Sequence, residues 1–313
     1  MTLGEILNLV ECGLSSVLGT GIAGCKQFIR KTTSVWLVPD GFEFDSSVKL
    51  DLAYAQQLQA EGNLIVLKDA KTFEDQSSDD QIDTLEDGTE QVATEGLYKF
   101  SLMFINGLAF HAALTSLNSF GSYNALFVDK DGNILGTKAD SGQLKGFSLN
   151  MLQANRLQFA SDSTGQREGI TMQLARRREL DSDYVYVSNT QLDGFNPQNL
   201  DGINEVVVSY DTTPTDGATE LVVKAVMKQN AKPFQGADDL ALWTITVAGA
   251  TVTPSGVAEG TGANVGKYTF TVSAVSTGQA STAALYDTAN SRIAISLGSA
   301  LYKSNTASTT VVA

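Results

Sequence analysis

The chain of 313 residues carries 35 Asp and Glu against 21 Lys and Arg, for a formal net charge of -14, with 42% hydrophobic residues, one histidine and two cysteines. Length and apolarity together predict two domains with sizeable cores and exclude collagen, a disulfide scaffold and global disorder. No apolar run reaches the roughly 18 residues that a transmembrane helix needs, and an acidic chain repels nucleic acid rather than gripping it.

Residues 1–30 read as an N-terminal arm with a short helix over 3–10 and glycines at 13, 19, 21 and 24. Glu5, Glu11 and the lack of a basic start argue against a secretory signal. Cys12 and Cys25 have no His or Cys partners at metal-ligand spacing, and the expectation is two small buried side chains in a reducing compartment. Residues 19–24 (GTGIAG) match the spacing of a dinucleotide-binding loop. No strand precedes them and no βαβ series follows, so a flexible arm is the better reading.

Residues 33–38 (TSVWLV) read as a strand stopped by Pro39-Asp40-Gly41, residues 50–59 as a short helix and residues 63–68 as a strand. Residues 69–95 then hold ten acids and one base, a local charge of -9 that accounts for most of the acidity of the chain. Serines and aspartates dominate residues 76–80, so the stretch is expected to be a long loop. A solvated surface and a functional loop both remain open for it.

Residues 97–105 (LYKFSLMFI) read as a strand and residues 107–120 as an amphipathic helix with Leu108, Ala112, Leu114 or Phe110, and Leu117 on its inner face. His111 lies on that helix without a nucleophile partner and is expected to be packed or at an interface. Residues 123–128 and 134–137 flank a turn at 129–133 (DKDGN). Asp129, Asp131 and Asn133 resemble the start of a calcium loop. Gly132 comes fourth rather than sixth, however, which favours a tight turn. Strands are expected over 146–159, 169–175 and 184–188. Between the last two lies the one basic cluster, Arg176-Arg177-Arg178, followed by Glu179, Asp181 and Asp183. Two readings of it stay open. One is a locally charge-paired surface. The other is a contact with the acidic loop of a neighbouring subunit, through Asp75, Asp79, Asp80, Asp83, Glu86 and Asp87.

Residues 189–204 read as a linker. Beyond it, strands are expected at 205–210, 220–227, 241–247, 267–275, 283–286 and 292–297, with no helix between them and a loose tail at 304–313. About seven short strands in roughly 110 residues is the pattern of an Ig-like sandwich, with Trp243 as its buried aromatic. No Ser-His-Asp order, HExxH or CxxC is present, and carboxylate pairs on a mobile loop make a poor glycosidase. The expectation is a structural protein and not an enzyme, with no catalytic residue, cofactor or metal.

The middle of the chain, YKFSLMF, then GLAFHAALTSLNSF, then YNALFVDKDGNILGT, then GFSLNMLQANRLQF with GITMQLARRREL, resembles the major tail (tail tube) proteins of tailed bacteriophages. The resemblance covers about residues 30–313 and rests on element order. It implies a mainly β fold: a tube-type β-sandwich or barrel with one packed helix over 31–200, and an Ig-like domain over 203–313. It further implies hexameric rings that stack into a DNA-conducting tube, contacts with other tail proteins, DNA passing through the lumen without specific binding, and a place in the virion after assembly in the host cytoplasm. The 1–30 arm and the 69–95 loop would reach into the next ring, and no membrane insertion is implied. The competing expectations are a capsid or decoration protein and a surface adhesin or carbohydrate-binding module. The last of these would call for a secretion signal.

Overall fold

The computed structural model describes residues 1–8, 29–163, 165–289, 291–298 and 300–313. These residues are mainly β, with four α-helices. None of the helices is long and apolar enough to cross a membrane. The chain divides into two compact units, Met1–Ala55 with Gly62–Leu200 and Gln56–Glu61 with Asp201–Ala313.

The first unit opens with α1 (Leu3–Asn8). Leu3 and Ile6, one turn apart on one face, are buried, and the Leu3 and Gly4 amides donate to Val48 O (2.9 Å) and Ser46 O (2.7 Å). The start of the expected arm is therefore docked, not free. Cys12, Cys25 and the glycine spacing at 19–24 lie outside the described residues.

There follow β1 (Thr32–Pro39), α2 (Leu52–Glu61, its residues from Gln56 on counted with the second unit), β2 (Ile65–Leu67), β3 (Thr72–Asp75), β4 (Gln81–Thr84), β5 (Glu90–Thr94), β6 (Lys99–Phe104) and α3 (Leu108–Ser116). The unit continues with β7 (Tyr123–Asp129), β8 (Ile134–Lys138), β9 (Leu144–Lys145), β10 (Phe147–Ala154), β11 (Glu168–Leu174), α4 (Arg178–Asp181) and β12 (Tyr184–Val187). Ten strands form one antiparallel sheet. Its path runs β12-β8-β7-β10-β11-β6-β3, with β1 joining β7 to β2 and β9 pairing β8.

β10 is the corner of this sheet. Phe147 and Ser148 pair with Ala125 and Asn124 of β7, whereas Leu149 onward pairs with β11. The register slips between Leu149 and Met151. A bulge bends its strand and shifts the inward parity by one residue, so Phe147, Leu149 and then Leu152 are buried while Met151 is not. The bend folds the two halves of the sheet over one core. Phe127 of β7 meets Phe73 and Phe100 of the other half edge-on, at 5.9 and 5.3 Å. Val35, Leu37, Leu102, Phe104, Ile170 and Met172 complete that core.

Three local expectations are corrected. Residues 189–200 are no loose linker: Leu192 and Leu200 are 2% and 1% exposed, Phe195 packs on Trp36 at 6.4 Å, and the Gln198 amide donates to Thr33 Oγ1 at 2.6 Å. Apolar residues spaced among the Asn, Asp and Gly tie the segment down. The acidic 69–95 stretch holds strands rather than one long loop, because its few apolar residues alternate with polar ones. The inner face of α3 is Phe110, Leu114 and Leu117, packed against the core, while Leu108 and Ala112 point outward.

The second unit comprises β13 (Ile203–Tyr210), β14 (Glu220–Met227), β15 (Trp243–Val247), β16 (Ala250–Val252), β17 (Gly256–Glu259), β18 (Lys267–Thr271), β19 (Ala280–Leu285), β20 (Ala294–Leu297), β21 (Ala300–Ser304) and β22 (Ala307–Thr310). They make two sheets, β17-β18-β14-β13-β21-β20 and β16-β15-β19-β22. Val206, Val208, Leu221 and Val223 of the first share one core with Ile245, Ala283 and Leu285 of the second. Trp243 lies within 5.1 Å of both Tyr268 and Phe270 of the first sheet, and its Nε1–H donates to Ala237 O at 2.7 Å. The expected loose tail is instead β22, with Val311 buried and Val312 N bonded to Pro214 O (3.0 Å).

Candidate functional site

β4 and β5 form a hairpin that pairs with no other strand among the described residues, Gln81 opposite Thr94, Ile82 opposite Val92 and Asp83 opposite Gln91. Its turn is built by Asp87-Gly88. Gly88 takes φ +82, which glycine adopts without strain, and the Asp87 carboxylate accepts from the Thr89 amide (3.0 Å) and hydroxyl. Every residue of both strands is exposed. The cross-strand pair Ile82 and Val92 is 61% and 54% exposed, and Leu85 at the turn is 43% exposed. An isolated two-stranded hairpin is marginal in water, so this arm depends on its base and on any partner that covers it.

The base is a charge cluster. Asp80 accepts from Gly96 N (2.8 Å) and from Arg177 Nη1 (2.6 Å), Arg177 Nε reaches Asp181 (2.9 Å), and Asp181 accepts from the Tyr98 hydroxyl. The Gly96 amide, then Arg177, holds the Asp80 carboxyl below its ordinary range, while Asp181 raises the Tyr98 phenol. Gly96 is required by contact: a Cβ there would sit 1.9 Å from Ser78 O. A recess of about 320 Å³ lies beside this cluster, lined by Val92, Glu95, Arg178 and Ser182 as well as the ion pairs.

The sequence-derived contact residues thus divide. Asp80 and Arg177 meet within one chain, and Arg178 pairs with Asp183 at 3.0 Å, so these two arginines already have partners. Asp75 and Asp87 cap their own turns through Ser77 and Thr89. Asp79, Asp83, Glu86 and Arg176 are exposed and have no ion pair among the described residues.

A second uncovered surface lies at the other end of β6. The buried Glu168 carboxylate accepts from Asn106 N (2.9 Å), Gly107 N (3.2 Å) and Gln166 Nε2 (2.8 Å), fixing the start of α3. Burial pushes this carboxyl up, and those donors more than offset it, leaving it below its ordinary range. α3 carries no charged residue, and its outward side combines Leu108, Ala109, Ala112 and Ala113 with Thr115 and Ser116. Ile105, Leu108, Phe120 and Phe159 are 57%, 62%, 81% and 77% exposed. Exposed large apolar side chains grouped in this way mark contact sites on protein surfaces. His111 is partly buried on this helix, and its Nδ1 has no hydrogen-bond partner among the described residues.

Sequence reasoning missed Ile82, Leu85 and Val92 because the surrounding acids dominated the composition. The alternation of QIDT and EQVAT about Asp87-Gly88 is a hairpin signal that was there to be read. No family model matches the chain, and no curated protein matches it.

In the second unit, an uncharged cleft of about 520 Å³ is lined by Trp243, Tyr286, Thr244, Thr251, Thr253 and Thr288, among others. The turn at 129–133 is closed tightly. Asp129 accepts from the amides of Arg30, Asp131 and Asn133 and from Asn133 Nδ2, at 2.9–3.1 Å.

Proposed function

We propose that the chain is a self-assembling structural subunit of a virion, a tail-tube protein of a tailed bacteriophage, and not an enzyme. The observation that carries this reading is the β4–β5 hairpin, an arm with every residue exposed, an apolar cross-strand pair and unpaired acids. A monomer gains nothing from such an arm, whereas a neighbouring copy that covers Ile82, Leu85 and Val92 gains the burial of three apolar side chains. The bent antiparallel sheet with one packed helix also fits the tube reading, since closing such sheets into a ring removes exposed edges. The acidity lets DNA pass without sticking. Subunits form rings, hexameric in this reading, which stack and contact other tail proteins in a virion assembled in the host cytoplasm.

In the same reading the second unit is an Ig-like decoration domain. The strand orders support it. β17-β18-β14-β13 follows the D-E-B-A order of that fold and β15-β19-β22 the C-F-G order, with Trp243 buried at the start of the C-like strand. The β20–β21 hairpin is extra to that order, and no cysteine pair joins the B-like and F-like strands.

The test is negative-stain microscopy with light scattering on the purified full chain. Rings or tubes are expected. Assembly only on preformed shells would favour a capsid or decoration protein. One observation favours a binding module instead, the uncharged cleft with Tyr286 and four threonines, a lining suited to the face and hydroxyls of a neutral sugar. A chain that stays monomeric and binds neutral oligosaccharides would establish that reading.

A further inference from the structure

We infer that the β4–β5 hairpin of one copy docks on the start of α3 in a second copy, with Ile82, Leu85 and Val92 covering Ile105, Leu108 and Phe159, and Arg156 and Arg167 meeting Asp83 and Glu86. This rests on the self-assembly reading and names the surfaces it would use.

Three observations converge. Both surfaces are apolar and uncovered, with Ile82 61%, Val92 54%, Leu108 62% and Phe159 77% exposed. Their charges are complementary. Arg156 and Arg167 are exposed beside Phe159, Arg167 N donating to Gln158 O at 3.0 Å, and neither has an ion pair among the described residues. Asp162, further along the same turn, and the buried Glu168 are the acids of that segment. Asp83 and Glu86 on the hairpin are likewise unpaired, unlike Asp80, which Arg177 of the same chain already holds. Opposite charges across an interface chiefly set its register and partner.

The third observation is position. The hairpin leaves the sheet where Tyr98 and Leu174 meet, before β6 starts (Leu174 N to Tyr98 O, 2.9 Å). The α3 surface begins where β6 ends, at Phe104 opposite Glu168. Six residues of strand separate the two by about 20 Å. One chain does not bring them together. The contact uses different surfaces on its two sides, so it repeats from copy to copy and produces a ring if the rotation closes, or a stack if it does not.

The test is a charge swap in the full chain at low salt, read by light scattering and microscopy. One variant carries Asp83→Lys and Glu86→Lys, the other Arg156→Glu and Arg167→Glu. Circular dichroism establishes that both are folded. Each alone should assemble more than about tenfold more weakly than the unmodified chain, because like charges then face each other. Mixing the two variants should restore assembly, since each hairpin meets a patch of opposite sign. Assembly of the arginine variant at the unmodified level, or a mixture that remains unassembled, overturns this inference and leaves the self-assembly reading in place. An unmodified chain that stays monomeric overturns both.

Discussion

Two hairpins of the first unit differ in what covers their apolar cross-strand pairs. In β10–β11, Leu149 opposes Leu174 and Leu152 opposes Met172, and all four are at most 2% exposed. In β4–β5, Ile82 opposes Val92, and both are more than half exposed. Both pairs are apolar and cross-strand. The first is buried within the chain that carries it, whereas the second is left uncovered by its own chain. Local sequence pattern makes a hairpin in either case, and what faces it decides whether the hairpin is core or contact.

Changes to the first hairpin should cost the most. Leu152→Ala removes a fully buried side chain just past the bulge and should destabilise the first unit by about 2–5 kcal/mol, read as a lower midpoint in thermal or urea unfolding. Gly96→Ala comes next. Its Cβ must displace the Ser78 backbone, and it should cost about 1–3 kcal/mol and speed amide exchange in 80–96 ahead of the β10–β11 amides. Equal acceleration in both hairpins would show that the arm is not a separate unit.

Arg177→Ala removes the link between Asp80 and Asp181. With its side chain 40% exposed, it should cost less than about 1 kcal/mol, yet loosen the arm detectably by exchange. The same base predicts a pH dependence. The folded-state pKa of Asp80 is lowered, so its contribution is present above the ordinary carboxylate pKa and lost as pH falls through the lowered value. Protection of the hairpin amides, taken against their intrinsic exchange rates, should therefore fall on acidification below about pH 4, and Asp80→Asn should remove that step. Smallest of all, Val92→Ala should change stability by no more than about 0.5 kcal/mol, while weakening assembly. A stability loss as large as that of Leu152→Ala would mean that the arm is packed in solution.

The legibility of the sequence follows the same division. β1, β6, β7 and β11 were readable because β-branched and aromatic residues run between clear stops, Pro39 at the end of β1 and the turn that Asp129 opens at the end of β7. The tail strand β22 was not, since Ala307-Ser308-Thr309-Thr310 offers no large side chain and is ordered by its pairing with β19. The inner face of α3 was misplaced because Leu108, Phe110, Ala112, Leu114 and Leu117 allow more than one helical stripe. With apolar residues on more than one side, only the packing selects Phe110, Leu114 and Leu117. Arg177 meets Asp80 of the acidic stretch within one chain, and composition alone does not tell such a contact from one with a neighbour.

The central claim, that the arm belongs to another copy, is tested most directly by light scattering of the full chain beside its Ile82→Asp, Val92→Asp variant across a concentration series. The account predicts that the unmodified chain assembles into rings or longer species while the variant stays monomeric with an unchanged circular dichroism spectrum and melting midpoint. An unmodified chain that remains monomeric at every concentration, or a variant that assembles equally well, would contradict it.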